Sequence, residues 1–66
     1  MDVQRHFDGV MVGFEPRTDA ARAWFDEHVQ SEPWQWLGRV LWLDMRMAVP
    51  LADGIREAGL DMGNDE

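Results

Sequence analysis

A chain of 66 residues without a single cysteine has to hold itself together by packing alone. Domains of this size bury only roughly 60% of the surface that the unfolded chain exposes, and natural ones often add a disulfide or a metal to compensate. Here a disulfide, a thiolate zinc site and a cysteine nucleophile are all excluded. The deficit falls on large apolar side chains or on self-association. Four tryptophans and an apolar content of 45% supply the former. They also argue against a disordered acidic tail, which at this charge carries few aromatics. The length allows one small domain.

Charge narrows the partners. Thirteen Asp and Glu stand against six arginines and no lysine, a formal net charge of −7 with both histidines neutral. Without lysine there is no Schiff-base chemistry and no phosphate-loop lysine. A phosphate backbone repels such a chain at long range, so a basic protein is a better partner than nucleic acid itself. No apolar run approaches the roughly 20 residues that cross a bilayer. Met1 to His6 lack the basic start and apolar core of a signal peptide. These features predict a cytoplasmic protein that does not contact membranes.

Hydrophobic alternation predicts a β-hairpin over residues 3–15. Val3 to Phe7 and Val10 to Phe14 flank Asp8-Gly9, a dipeptide that tolerates the two positive φ values of a type I′ turn. That turn pairs Phe7 with Val10, Arg5 with Val12 and Val3 with Phe14. Val3, Phe7, Val10, Val12 and Phe14 then share one face, interrupted only by Arg5, while Gln4, His6, Met11, Gly13 and Glu15 fall on the wetter one. Pro16 keeps Glu15 extended, and Thr18 or Asp19 caps a helix over 18–29. Its apolar stripe is Ala20, Ala21, Trp24, Phe25, His28 and Val29. Gln30 to Pro33 breaks the helix, and Trp34 to Gly38 forms an aromatic connection.

Residues 39–47 read as a strand. Leu41, Leu43, Met45 and Met47 alternate on a core face, and Val40, Trp42, Asp44 and Arg46 on a half-covered one. Pro50 suits the first position of a second helix over 50–58, with Leu51, Ile55 and Ala58 inward. Gly54 weakens that helix by about 1 kcal/mol relative to alanine. Gly59 and Leu60 end it in a Schellman arrangement. Residues 61–66 form a short edge strand or an acidic end. The sum is a single α+β domain, ββαβα, with a three-stranded sheet packed against two helices.

Few residues here can carry chemistry. His6 and His28 are the only imidazoles, and Thr18 and Ser31 the only side-chain hydroxyls. No glycine elbow supplies an oxyanion pocket beside them. Asp26, Glu27 and His28 are consecutive, and helical neighbours point about 100° apart, too far to share one metal ion. Asp61, Asn64 and Asp65 lack the ligand order of a calcium loop. Asp53 and Glu57 stand one helical turn apart without a pocket between them. The expectation is a protein with no enzymatic activity, cofactor or metal.

Two features suit binding instead. Trp24 lies on the first helix stripe, and Trp34 and Trp36 are placed to close over the core, but Trp42 lies on the strand face opposite Leu41 and Leu43. Left uncovered, it would anchor an interface, and a homodimer through that face would help so small a chain stay folded. The carboxylates offer the second feature. Asp19, Asp26 and Glu27 on the first helix, Asp53 and Glu57 on the second, and Asp61, Asp65 and Glu66 at the end serve either as a solvated surface or as a row imitating phosphates. Helical neighbours stand roughly 5–6 Å apart, comparable to successive phosphates.

Arg17-Thr18-Asp19-Ala20-Ala21-Arg22-Ala23-Trp24-Phe25, Trp34-Gln35-Trp36-Leu37-Gly38, Val40-Leu41, Arg46 and Ala58-Gly59-Leu60 resemble a group of small uncharacterised proteins encoded by phages and prophages. The resemblance covers Arg17 to Leu60, about two thirds of the chain, and its motifs are packing and capping residues. Small acidic phage proteins without an active site are similar in type to anti-CRISPR proteins and other host-defence inhibitors, several of which mimic DNA. The resemblance therefore implies an inhibitor in the host cytoplasm, presenting carboxylates to the basic DNA-binding surface of a CRISPR effector complex or nuclease. The other reading is a phage accessory interaction module acting through Trp42.

Overall fold

Two Gly-X loops and one aspartate cap set the element boundaries in the computed structural model, which describes residues 1–64. In chain order these are β1 (Val3–Asp8), β2 (Met11–Pro16), α1 (Asp19–His28), a one-turn 3-10 helix (Pro33–Gln35), β3 (Trp36–Leu37), β4 (Val40–Asp44), α2 (Met45–Glu57) and β5 (Met62–Asn64). The class is α+β, and the sheet has five strands in the order β3-β4-β2-β1-β5 rather than three. All neighbours are antiparallel except β1 and β5.

The first hairpin is shifted from the register its Asp-Gly signal predicts. Asp8 pairs with Met11, Phe7 with Val12, Arg5 with Phe14 and Val3 with Pro16, so the loop is Gly9-Val10. Gly9 has φ 61°, and no other residue type takes a positive φ among the described residues. That is the pattern of a type II′ turn, and it spares Asp8 the roughly 1–2 kcal/mol of left-handed strain that a type I′ turn imposes on a non-glycine residue. A two-residue slide preserves the faces. Val3, Phe7, Val12 and Phe14 still share a side with Arg5, while Val10 moves into the turn at 75% exposure. Gly38-Arg39 makes a second such loop, and the segment read as an aromatic connection becomes β3, with Trp36 opposite Leu41 and Leu37 opposite Val40.

The largest correction lies between residues 44 and 50. The strand stops at Asp44, whose carboxylate accepts hydrogen bonds from the N–H groups of Arg46 (3.0 Å) and Met47 (3.2 Å) and so starts α2 at Met45. Such a cap stabilises a helix by about 1 kcal/mol. Met45 and Met47 are consequently half exposed on a helix instead of filling the core, and Arg46 stands in solvent rather than on the sheet. Pro50 falls inside α2, on its exposed side. It removes one bond, the N–H that would reach the Arg46 carbonyl. The inward residues are Ala48, Ala52 and Ile55; Leu51 is half-buried and Ala58 exposed.

Both helices pack on the same face of the sheet. Val3, Val12, Phe14, Leu41 and Leu43 meet Ala21 and Phe25 of α1 and Ala48, Ala52 and Ile55 of α2 in one core. Trp24 closes the gap between the helices by lying against Gly54 and edge-on to Phe25. Trp36 packs edge-on to Phe25. Trp34 does not close over the layer as predicted; the 3-10 turn points it outward at 80% exposure. The end of α2 carries both Schellman bonds, Leu60 N–H to the Ile55 carbonyl and Gly59 N–H to the Arg56 carbonyl.

Asp2 joins three segments. Its carboxylate accepts from the Thr18 hydroxyl and the Asp61 N–H, each at 2.8 Å. Its carbonyl accepts from the Arg17 N–H, and its own N–H donates to the Asp61 carbonyl. Thr18 in turn caps α1 by accepting from the Ala21 N–H. The Asp61 N–H first, then the Thr18 hydroxyl, hold the Asp2 carboxyl below the usual carboxylate range.

Two stability measurements follow from this packing. A Cβ on Gly54 would lie 3.5 and 3.6 Å from two carbons of Trp24, ordinary contact. Gly54→Ala is expected to stabilise the protein by about 0.5–1 kcal/mol in urea unfolding, and a loss of stability would show that Trp24 cannot accept the methyl. A depressed folded-state pKa gives Asp2 a contribution that is complete above its unfolded pKa of about 3.9 and lost as pH falls through the lower folded value. Asp2→Asn should therefore melt below wild type at pH 7, and the gap should narrow progressively as pH falls below about 4. A gap independent of pH would contradict this assignment.

Candidate functional site

With α1 and α2 on one side, the other side of the sheet carries no helix. Its residues form rows across β1, β2 and β4: Asp8, Met11 and Asp44; then His6, Gly13 and Trp42; then Gln4 and Glu15. Val40 and Leu37 extend the face over β4 and β3, with Leu37 74% exposed.

Gly13 organises this surface. A Cβ there would fall 2.6 Å from Val40 Cγ1 and 3.1 and 3.2 Å from Cε2 and Cδ2 of Trp42. Those two ring atoms form the fusion bond at the centre of the indole, so the ring lies across Gly13 with one face against it, and Trp42 as a whole is half-buried. A glycine within a strand marks such a close approach. The missing side chain also lets the His6 and Trp42 rings meet across β2, their centroids 6.4 Å apart. His6 Nε2 lies 3.0 Å from Glu15 Oε1, donating to the carboxylate. At one corner Arg17 Nη1 donates to Gln4 Oε1 at 2.7 Å. The rows hold three carboxylates, Asp8, Glu15 and Asp44, and no arginine.

The carboxylates on the helices are distributed differently. Asp19 pairs with Arg22 at 3.0 Å and Asp53 with Arg56 at 3.2 Å, so the local pairing of these arginines takes up part of each acidic row. Asp61 lies 3.6 Å from the N-terminal amine. Glu27 lies 3.9 Å from the His28 ring. Asp26 and Glu57 are exposed and have no ion-pair partner among the described residues. Asp65 falls outside those residues, as does Glu66. Exposed surface ion pairs are worth little, about 0–1 kcal/mol. They nevertheless lower the net charge that each row offers a partner.

The groups weighed for catalysis are held by other contacts. The Ser31 hydroxyl accepts from the Trp36 indole N–H at 2.9 Å. The His28 ring sits 5.1 Å from Trp24. No group of three or more His, Asp or Glu that could hold a metal ion occurs among the described residues. A cleft of about 400 Å³ opens between α1 and the β3–β4 hairpin, lined by Arg22, Phe25, Asp26, Trp36 and Arg39. A smaller one, about 190 Å³, lies under α2 beside Phe7, Met45, Val49 and Arg5. Burial, with Arg56 nearby, holds the Arg5 guanidinium below its usual pKa, and its charge lies 5.8 Å from the centre of the Phe7 ring. No described helix is long and apolar enough to cross a membrane.

Of the predicted site residues, the structure places Trp42 at the centre of one surface and leaves the helical carboxylates on the opposite side of the sheet. Sequence reading passed over Gly13 and the His6–Glu15 pair. Gly13 was the legible signal, a glycine between Val12 and Phe14 inside an alternating strand. Compared with protein families, curated proteins and solved structures, the chain finds no match in any of the three.

Gly13→Ala tests the seat of Trp42. The added methyl meets Val40 and the indole inside contact distance, so the variant should lose about 1–3 kcal/mol of stability and change the near-ultraviolet dichroism of the tryptophans. Unchanged stability together with an unchanged spectrum would mean that Trp42 does not lie on Gly13.

Proposed function

We propose that this chain is a non-enzymatic acidic binding protein that docks on a basic surface of a partner protein through the open sheet face centred on Trp42. The observation that carries this reading is the indole seated on Gly13, on a face whose rows hold Asp8, Glu15 and Asp44, the last of them reached by Arg46 at 3.6 Å. Aromatic anchors of this kind dominate binding energy at interfaces, and complementary charge speeds association. Charge favours a basic partner over a second copy of the chain, because a homodimer through this face would set two acidic surfaces of −7 chains against each other.

A second reading is the DNA mimic, in which exposed helix carboxylates enter the DNA-binding channel of a host-defence complex. Asp26, Glu27 and Glu57, none of them paired with an arginine among the described residues, support it together with the resemblance to phage proteins. Both readings share the basic partner and differ in the face that meets it.

Affinity capture with the tagged chain separates them when three forms are compared over a range of salt: wild type, Trp42→Ala, and Asp26→Asn combined with Glu27→Gln and Glu57→Gln. Release of the captured protein by Trp42→Ala alone, with folding verified by circular dichroism, is the expected result. Release by the helix variant alone, together with competition by DNA, would transfer the function to the mimic. Capture indifferent to salt and to both variants overturns both.

A further inference from the structure

Resting on the sheet-face reading, we infer that the partner group seated at the centre of that face is an arginine side chain, its guanidinium stacked on the outward face of Trp42 between Glu15 and Asp44. A planar cation needs an aromatic face held flat and open. Gly13 provides this by taking one side of the indole at its fusion bond, which leaves the other side clear of β2. Among the aromatic rings tryptophan attracts cations most strongly. Guanidinium suits the surface better than ammonium because it is planar and more weakly hydrated, and so stacks at lower desolvation cost.

The carboxylates around the ring fit the same ligand. Asp44 is the next residue on this face along β4, and Glu15 lies diagonally across Gly13 on β2. Glu15 is held in place by His6 through Oε1, and its Oε2 has no hydrogen-bond partner among the described residues. An anion over Trp42 would meet these charges with Asp8 behind them, and a neutral group would forgo them. None of the chain's own arginines is stacked on Trp42 among the described residues. Arg46, the nearest in sequence on that side, is 92% exposed and reaches Asp44 instead, at 3.6 Å. The guanidinium of Arg5 over the Phe7 ring lies on the helix-covered face.

Calorimetric titration of the full chain with an arginine peptide and a lysine peptide of equal length and charge, at one ionic strength, tests the inference. The arginine peptide should bind about threefold to tenfold more tightly. That preference should vanish in Trp42→Leu and partly survive in Trp42→Phe, which keeps a ring. If Trp42→Leu fails to fold, the indole N–H resonances of wild type decide: the arginine peptide must move that of Trp42 more than those of Trp24, Trp34 and Trp36. Equal binding of both peptides, weakened in both by Glu15→Gln, overturns the arginine assignment and leaves basic docking on this face intact. Binding of neither peptide overturns both. A preference for arginine that survives Trp42→Leu unchanged places the guanidinium elsewhere and overturns the inference alone.

Discussion

Val3, Phe14, Leu41 and Ile55 are completely withdrawn from solvent, and the rest of the molecule is arranged around the layer they make between sheet and helices. Burying each such side chain is worth about 1.5–3 kcal/mol, and a chain of 66 residues has enough apolar mass for one layer of this kind. Both helices must therefore share one face of the sheet. Trp24 spans the space between them against Gly54, where a methyl group would still be in ordinary contact with the ring. The opposite face stays without a helix because both helices are taken up by the one core. The open surface around Trp42 is thus a consequence of size.

The polar contacts serve mainly to locate the ends of elements. Asp44 turns the chain from strand to helix with no intervening loop, and Asp2 ties the first strand to the start of α1 and the approach to β5. Arginines are spent close to home, Arg22 on Asp19 and Arg56 on Asp53. The outer helix surfaces are therefore less charged than their carboxylates alone suggest, and on the open face Arg46 likewise reaches Asp44, which leaves Asp8 and Glu15 without an arginine among the described residues. The outer strands, β3 and β5, are two and three residues long, and such short edges offer little template for strand-to-strand aggregation.

Much of this was legible along the chain. Alternation placed Val3, Phe7, Val12 and Phe14 on one face and His6, Met11, Gly13 and Glu15 on the other, and these faces survived a two-residue change of register because side chains alternate with period two. Thr18 as a cap and Gly59-Leu60 as a stop depend on contacts within a few residues, and both were readable for that reason. Leu41, Leu43, Met45 and Met47 misled because a short apolar alternation fits a strand until something ends it, and the cap at Asp44 that ends this one shows itself only in the hydrogen bonds of the folded chain. Trp34 misled because its side chain is directed by a single 3-10 turn that composition does not announce.

Read along the chain, the residues already specify a small acidic α+β domain without disulfides, with one apolar face for its first hairpin and a tryptophan on the strand face opposite Leu41 and Leu43. Those features are local: alternation, capping chemistry and charge count are properties of neighbours in the chain. That both helices cover the same face, that Trp36-Leu37 and Met62–Asn64 join the sheet, and that Gly13 seats the indole of Trp42 beside a histidine–glutamate pair emerges only in the folded chain. These depend on which strands lie side by side. Pairing between residues as distant as Gly13 and Trp42, or Val3 and Met62, is settled by the single core that all of them must enclose.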